Sequence, residues 1–154
     1  HKVIGGNFRM DPIQACVLRI KLQRLEVWHE QRRQNAAQYN QLLGEAQLEE
    51  IVCPAAVYQD ENLPNHHIYN QYTVRVQRRE ELRKFLQERG IATEIYYPVP
   101  FHRQGCFADL GYRPGSLPES DKAAREVLAL PIYPGLTAEM QEYVVENVTE
   151  FYRS

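Results

Sequence analysis

The sequence predicts an α/β layer, a small sheet with helices packed on one face. Three observations point there. Helical and strand-like periods alternate along the chain in the order helix, strand, helix, strand, helix, strand, helix. One helical pattern runs unbroken by Gly or Pro from Pro12 to about Leu43. And 154 residues, 44% apolar and 25% charged, suffice for one domain with a real core. There are no internal repeats and no low-complexity tracts.

Residues 1–10 read as a loop. Asp11 then stands where a helix N-cap belongs, Pro12 fits the first helical position, and Gln14 takes the place of a capping-box partner. Ile13, Val17 and Ile20, with Leu18, Leu22 and Leu25, keep helical spacing. A helix from Pro12 to Leu43 would measure roughly 45 Å at about 1.5 Å per residue. That is long for a chain of 18.0 kDa. The expectation is a bridging helix reaching something outside this chain, the alternative being a kinked helix packed on its own domain. The Leu18/Leu22/Leu25 stripe and Trp28 are then core or interface. Gly44 is the first stop signal.

Residues 52–68 carry two prolines and several polar residues and read as an irregular connection. Tyr69–Val76 alternates and is rich in Tyr, Thr and Val, so it reads as a strand. Arg78–Arg89 places Leu82, Phe85 and Leu86 at helical spacing and ends at Gly90, a natural residue just past a helix. Ile91–Tyr97 reads as a second strand stopped by Pro98. Residues 98–118, with Pro98, Pro100, Gly105, Gly111, Pro114, Gly115 and Pro118 among aromatics, read as a long loop of the kind that carries function. Ser120–Leu128 reads as a helix, Ala129–Tyr133 as a third strand, and Thr137 caps a last helix to about Tyr152.

Charge excludes some partners. With 18 basic and 20 acidic residues the net charge is −2, so nothing pulls the chain toward nucleic acid or an anionic membrane. No apolar run approaches the roughly 20 residues of a membrane span, and the N-terminus lacks the apolar core of a signal peptide. Cys16, Cys53 and Cys106 are scattered and odd in number, which fits a reducing, cytoplasmic setting rather than a disulfide framework. The chain opens without an initiator Met in a glycine-bearing loop, so the expectation is a piece of a larger protein.

Candidate chemistry is sparse. No nucleophile elbow, phosphate loop or zinc-protease helix motif occurs. Lys2, Lys21, Lys84 and Lys122 are the only lysines, and none has the apolar neighbours that depress an amine pKa. His66-His67 lacks partners at metal-ligand spacing, so no metal is expected. His102 sits in a proline-stiffened segment, either bonded to backbone or placed to meet a substrate hydroxyl or phosphate. Gly5-Gly6-Asn7-Phe8-Arg9 precedes a helix N-terminus, where anions are favoured, but on these residues alone a turn with Arg9 paired on the surface is the better reading.

Three ordered motifs now resemble a known family. The first is Gly6-Asn7-Phe8-Arg9-Met10-Asp11 with Gln14-Ala15, followed by Lys21-Leu22, Trp28, Arg32-Arg33 and Tyr39. The second is Gly90-Ile91-Ala92-Thr93 with Tyr96-Tyr97-Pro98, Pro100, His102 and Gln104. The third is Leu130-Pro131-Ile132-Tyr133-Pro134. In this order they are similar to the DegT/DnrJ/EryC1/StrS aminotransferases, and the match covers nearly the whole chain.

The resemblance implies the C-terminal small domain of the aspartate aminotransferase (type I) fold. It implies residues 1–44 as interface loop and bridging helix, and 45–154 as a small α/β domain. The family's reaction moves an amino group from glutamate to a nucleotide-linked keto sugar, with pyridoxal 5'-phosphate (PLP) carrying the amine, in a homodimer whose sites lie between subunits. By resemblance Asn7 reaches the partner's PLP phosphate, Arg9 lies beside it, and His102 and Tyr97 line the sugar-nucleotide site. The Schiff-base lysine, the acidic partner of the pyridinium and the phosphate-binding serines belong upstream of His1, so this chain alone is expected to be inactive. The competing readings are a small-ligand-binding module and a dimerisation module, both without catalysis.

Overall fold

The computed structural model describes residues 5–6, 9–61 and 63–154. The first helix, α1 (Pro12–Leu22), starts as its sequence dictates. Asp11 Oδ1 accepts from the N–H of Ile13 at 2.8 Å and of Gln14 at 3.3 Å, with Pro12 in the first turn.

The single helix expected over Pro12–Leu43 is two helices, because α2 (Leu25–Ala46) begins anew. Arg24 lies at φ −106° and ψ −2°, and its N–H reaches the Lys21 carbonyl at 2.9 Å, a tightened bond of 3₁₀ type. Neither Pro nor Gly marks the break. It falls where packing changes: no residue of α1 is buried, whereas α2 buries His29, Ala36, Tyr39 and Leu43. Leu18 and Leu22 are 50% and 67% exposed, so that stripe is not core here. Gly44 lies inside α2, which ends at Gln47 in the left-handed region.

The sheet has three antiparallel strands in the order β1–β2–β3: β1 (Ile51–Val52), β2 (Tyr72–Val76) and β3 (Val127–Leu130). β1 falls at the edge of the stretch expected to be irregular; two residues are too few to show a period. Tyr72 pairs with Leu130 and Val74 with Leu128, so alternate residues of β2 face the core while Thr73 and Arg75 face away. The strand expected over Ile91–Tyr97 is reduced to one bridge, with Glu94 and Ala129 exchanging N–H···O bonds of 3.2 and 2.8 Å.

Helix α3 (Arg79–Glu88) ends in a Schellman motif. Gly90, at φ +73°, donates to the Gln87 carbonyl, and Ile91 donates to that of Leu86 at 2.9 Å. Helix α4 (Pro118–Glu126) starts two residues before the expected Ser120 and stops before Val127, which pairs with Arg75 and so belongs to β3 rather than to the helix. In α5 (Ala138–Arg153) Thr137 Oγ1 accepts from the N–H of Met140 at 3.3 Å.

The core lies between the inner sheet face and α2, α3 and α5. Tyr72, Val74, Val76 and Leu128 meet Tyr39, Leu82, Leu86, Val148 and Phe151 there. The two fully buried phenols in it, those of Tyr39 and Tyr72, are not orphaned. Tyr39 Oη donates to the Pro131 carbonyl at 3.0 Å and Tyr72 Oη to Asn40 Oδ1 at 2.6 Å, and burial pushes both pKa values up. Gln141, fully buried in α5, donates to the Asn35 carbonyl at 2.7 Å and locks α5 onto α2. Among the described residues no helix is long and apolar enough to cross a membrane.

Candidate functional site

The bridge at Glu94 delivers Tyr96 and Tyr97, joined by a cis peptide, to the head of the 98–118 segment. That segment is built of short turns. Pro100, extended at ψ 150°, caps a 3₁₀ turn at Phe101–Arg103, and Arg103 N–H bonds the Pro100 carbonyl at 3.0 Å. A second 3₁₀ turn, Gly105–Leu110, follows and closes at Gly111 in the left-handed region. Arg113 N–H then bonds Ser116 Oγ at 3.0 Å and leads the chain into α4.

Between this segment and α4 lies a cleft of about 600 Å³. Its wall is aromatic: Tyr96, Tyr97, Phe101, Phe107 and Tyr112. Phe101 and Phe107 meet edge to face at 6.0 Å, and Tyr112 does the same against His102 at 5.9 Å. Within this wall stand two polar groups whose atoms are buried without a hydrogen-bond partner, His102 Nε2 and Gln104 Oε1. Gln104 Nε2 is engaged by the Val99 carbonyl at 3.4 Å, which fixes its oxygen as the free atom. His102 Nε2 is 3.4 Å from Asp121 Oδ1, within ion-pair reach but without the direction of a hydrogen bond.

The structure therefore brings Tyr97 and His102 to one cleft. They differ in setting: Tyr97 is 65% exposed, whereas the His102 side chain is only 4% exposed. Arg9 is exposed in the segment ahead of α1 and is not part of that cleft. Asn7 lies outside the described residues. Gln104 lay within a recognised motif but was not singled out. Asp121 escaped notice because only the tertiary fold sets it beside residues 18 positions away.

An aromatic-walled cleft of this size with a few convergent polar groups, on an α/β layer, has the form that small-molecule sites commonly take. The chain belongs to the DegT/DnrJ/EryC1/StrS aminotransferase family, whose model matches residues 1–149. It is 49% identical over 153 residues to a pleiotropic regulatory protein of Geobacillus stearothermophilus, covering 99% of this chain and 40% of that one. It is 39% identical over 151 residues to a dTDP-3-amino-3,4,6-trideoxy-alpha-D-glucose transaminase of Streptomyces venezuelae, covering 98% of this chain and 38% of the relative. Among solved structures, S. venezuelae DesV in complex with a ketimine intermediate superimposes with a TM-score of 0.82 at 39% identity, over 100% of this chain and 40% of DesV. The chain thus spans about 40% of the length of the relatives it matches.

Among the described residues no lysine lines the cleft. Lys21, Lys84 and Lys122 are all exposed. Lys84 lies 4.0 Å from Glu88 on the outer face of α3. Lys2 lies outside the described residues. No catalytic residue is assigned within the chain.

Proposed function

We propose that this chain is the C-terminal part of an aminotransferase that moves an amino group from glutamate to a nucleotide-linked keto sugar, with PLP as cofactor. The observation that carries the reading is the meeting of Tyr97 and His102 in one cleft of substrate size, in a chain of this family. The cleft receives the sugar nucleotide. Its aromatic walls exclude water from one side of the ligand, and His102 supplies the hydrogen bond that fixes orientation. Tyr97, more exposed, meets the ligand at the mouth.

PLP supplies the carrier for the amine when bound. The exposed setting of Lys21, Lys84 and Lys122 supports a Schiff-base lysine elsewhere in the longer protein, and hence an inactive chain in isolation. Asn7 and Arg9 reach the cofactor phosphate of a second subunit in a homodimer. Residues 1–44 act as interface loop and bridging helix, and 45–154 as the small α/β domain. The unburied α1 supports that division of labour. Three free cysteines fit a cytoplasmic enzyme.

The test is steady-state kinetics of the longer enzyme carrying His102→Ala. The sugar-nucleotide KM rises by tenfold or more, the loss of about one charge-assisted hydrogen bond, while the glutamate KM changes little. A variant that leaves both constants untouched makes His102 a structural residue and removes the reading of the cleft.

A further inference from the structure

One carboxylate in α4 gathers the loop that carries His102. Asp121 is buried, its side chain 10% exposed. Its Oδ1 lies 3.4 Å from His102 Nε2 and 3.4 Å from Arg103 Nη1, and its Oδ2 accepts from the Gly115 N–H at 3.3 Å. The three contacts come from both ends of the cleft-forming segment. Arg103 balances the charge that burial would otherwise make costly. α4 lies outside the main apolar cluster, although its Ala124 is buried and the helix packs against β2.

We propose that Asp121 is a positioning residue that acts through His102, holding the proton on Nε2 and leaving Nδ1 as the ring's acceptor for a ligand hydroxyl or imide N–H. A carboxylate beside one ring nitrogen selects the tautomer and the ring plane. Nε2 sits off the line to Oδ1, and a small rotation of the ring would complete the bond. Contacts of this kind commonly tighten when ligand binds. The importance of the tautomer for substrate rests on the reading of the cleft given above; the contact itself does not.

Two measurements on the longer protein that contains this chain decide the matter. The first is the imidazole N–H proton of His102, observed by ¹⁵N-edited NMR at neutral pH. It is expected to be protected from exchange in the wild type, lost in Asp121→Ala, and shifted but retained in Asp121→Asn, which keeps an acceptor oxygen. Lys122→Ala, an exposed neighbour on α4, leaves it unchanged. A His102 N–H signal that Asp121→Ala and Asp121→Asn leave unaltered overturns the proposal, and circular dichroism identifies any variant that has simply unfolded.

The second is titration with dTDP, UDP and GDP as probes. Asp121→Ala and His102→Ala each weaken binding by about tenfold, and the double variant loses no more than either single one. Independent, multiplying losses would show that Asp121 acts by its own contact and sink the positioning role. A wild-type protein whose cleft resonances ignore dTDP, UDP and GDP alike argues against the cleft as a nucleotide site, while the N–H signal still decides what Asp121 does.

Discussion

His67 shows how one half-buried acceptor fixes a protonation state. Its Nδ1 accepts the Tyr69 N–H at 3.0 Å, and its ring lies 3.9 Å from the Tyr69 ring, over a backbone held at φ +45°. Only the neutral imidazole can accept that bond. Burial first, and the neighbouring His66 second, pull its pKa below the ordinary 6.5. The unfolded chain therefore binds this proton more readily than the folded one, and the sign follows. The stability His67 contributes is fully present above about pH 6.5 and is lost as pH falls through the lower folded value. His67→Asn keeps an acceptor atom at the same distance along the side chain and does not titrate. Urea midpoints measured from pH 7 to pH 5 should fall less steeply for that variant than for the wild type. Equal slopes would mean that His67 does not feel its surroundings.

Helix ends were the most legible elements, because capping chemistry is local. Asp11 and Thr137 bond the amides that their positions implied, and Gly90 takes the left-handed conformation that ends α3. What escaped reading depends on distant partners. Tyr69–Val76 is trimmed to the residues that β3 and β1 pair, Ile91–Tyr97 keeps a single bridge, and Val127 leaves a helical pattern because Arg75 lies opposite it. Glycine makes the contrast testable. An added Cβ meets nothing within 4 Å at either Gly90 or Gly44, so conformation alone sets the outcome. At Gly90, with φ +73°, alanine is strained and should cost about 1 kcal/mol. At Gly44, inside α2, alanine removes a helix-weakening residue and should stabilise by about 0.5–1 kcal/mol. Denaturant unfolding of the two variants should move in opposite directions, and a shift of the same sign in both would refute the argument.

At the scale of the whole molecule, apolar residues meet two different fates. The sheet with α2, α3 and α5 is sealed, with Leu82 and Leu86 at 0% exposure, whereas α1 presents Ile13, Ile20 and Leu22 to solvent. Periodicity revealed that both segments have an apolar face but could not say which face is covered within this chain. That Tyr97 and His102 lie together was legible because both stand in one short motif, while Asp121 needed the fold to bring α4 alongside. The absence of tertiary burial in α1 has an energetic consequence. Leu22→Ala removes nothing from a core, so chain stability should change by no more than about 0.5 kcal/mol. Leu82→Ala leaves a cavity and should cost about 2–5 kcal/mol. Amide hydrogen exchange should run parallel, with α1 exchanging well before the buried turns of α2. Leu22→Ala as costly as Leu82→Ala, with a midpoint that rises with protein concentration, would mean that a second copy of the chain already covers α1 in solution.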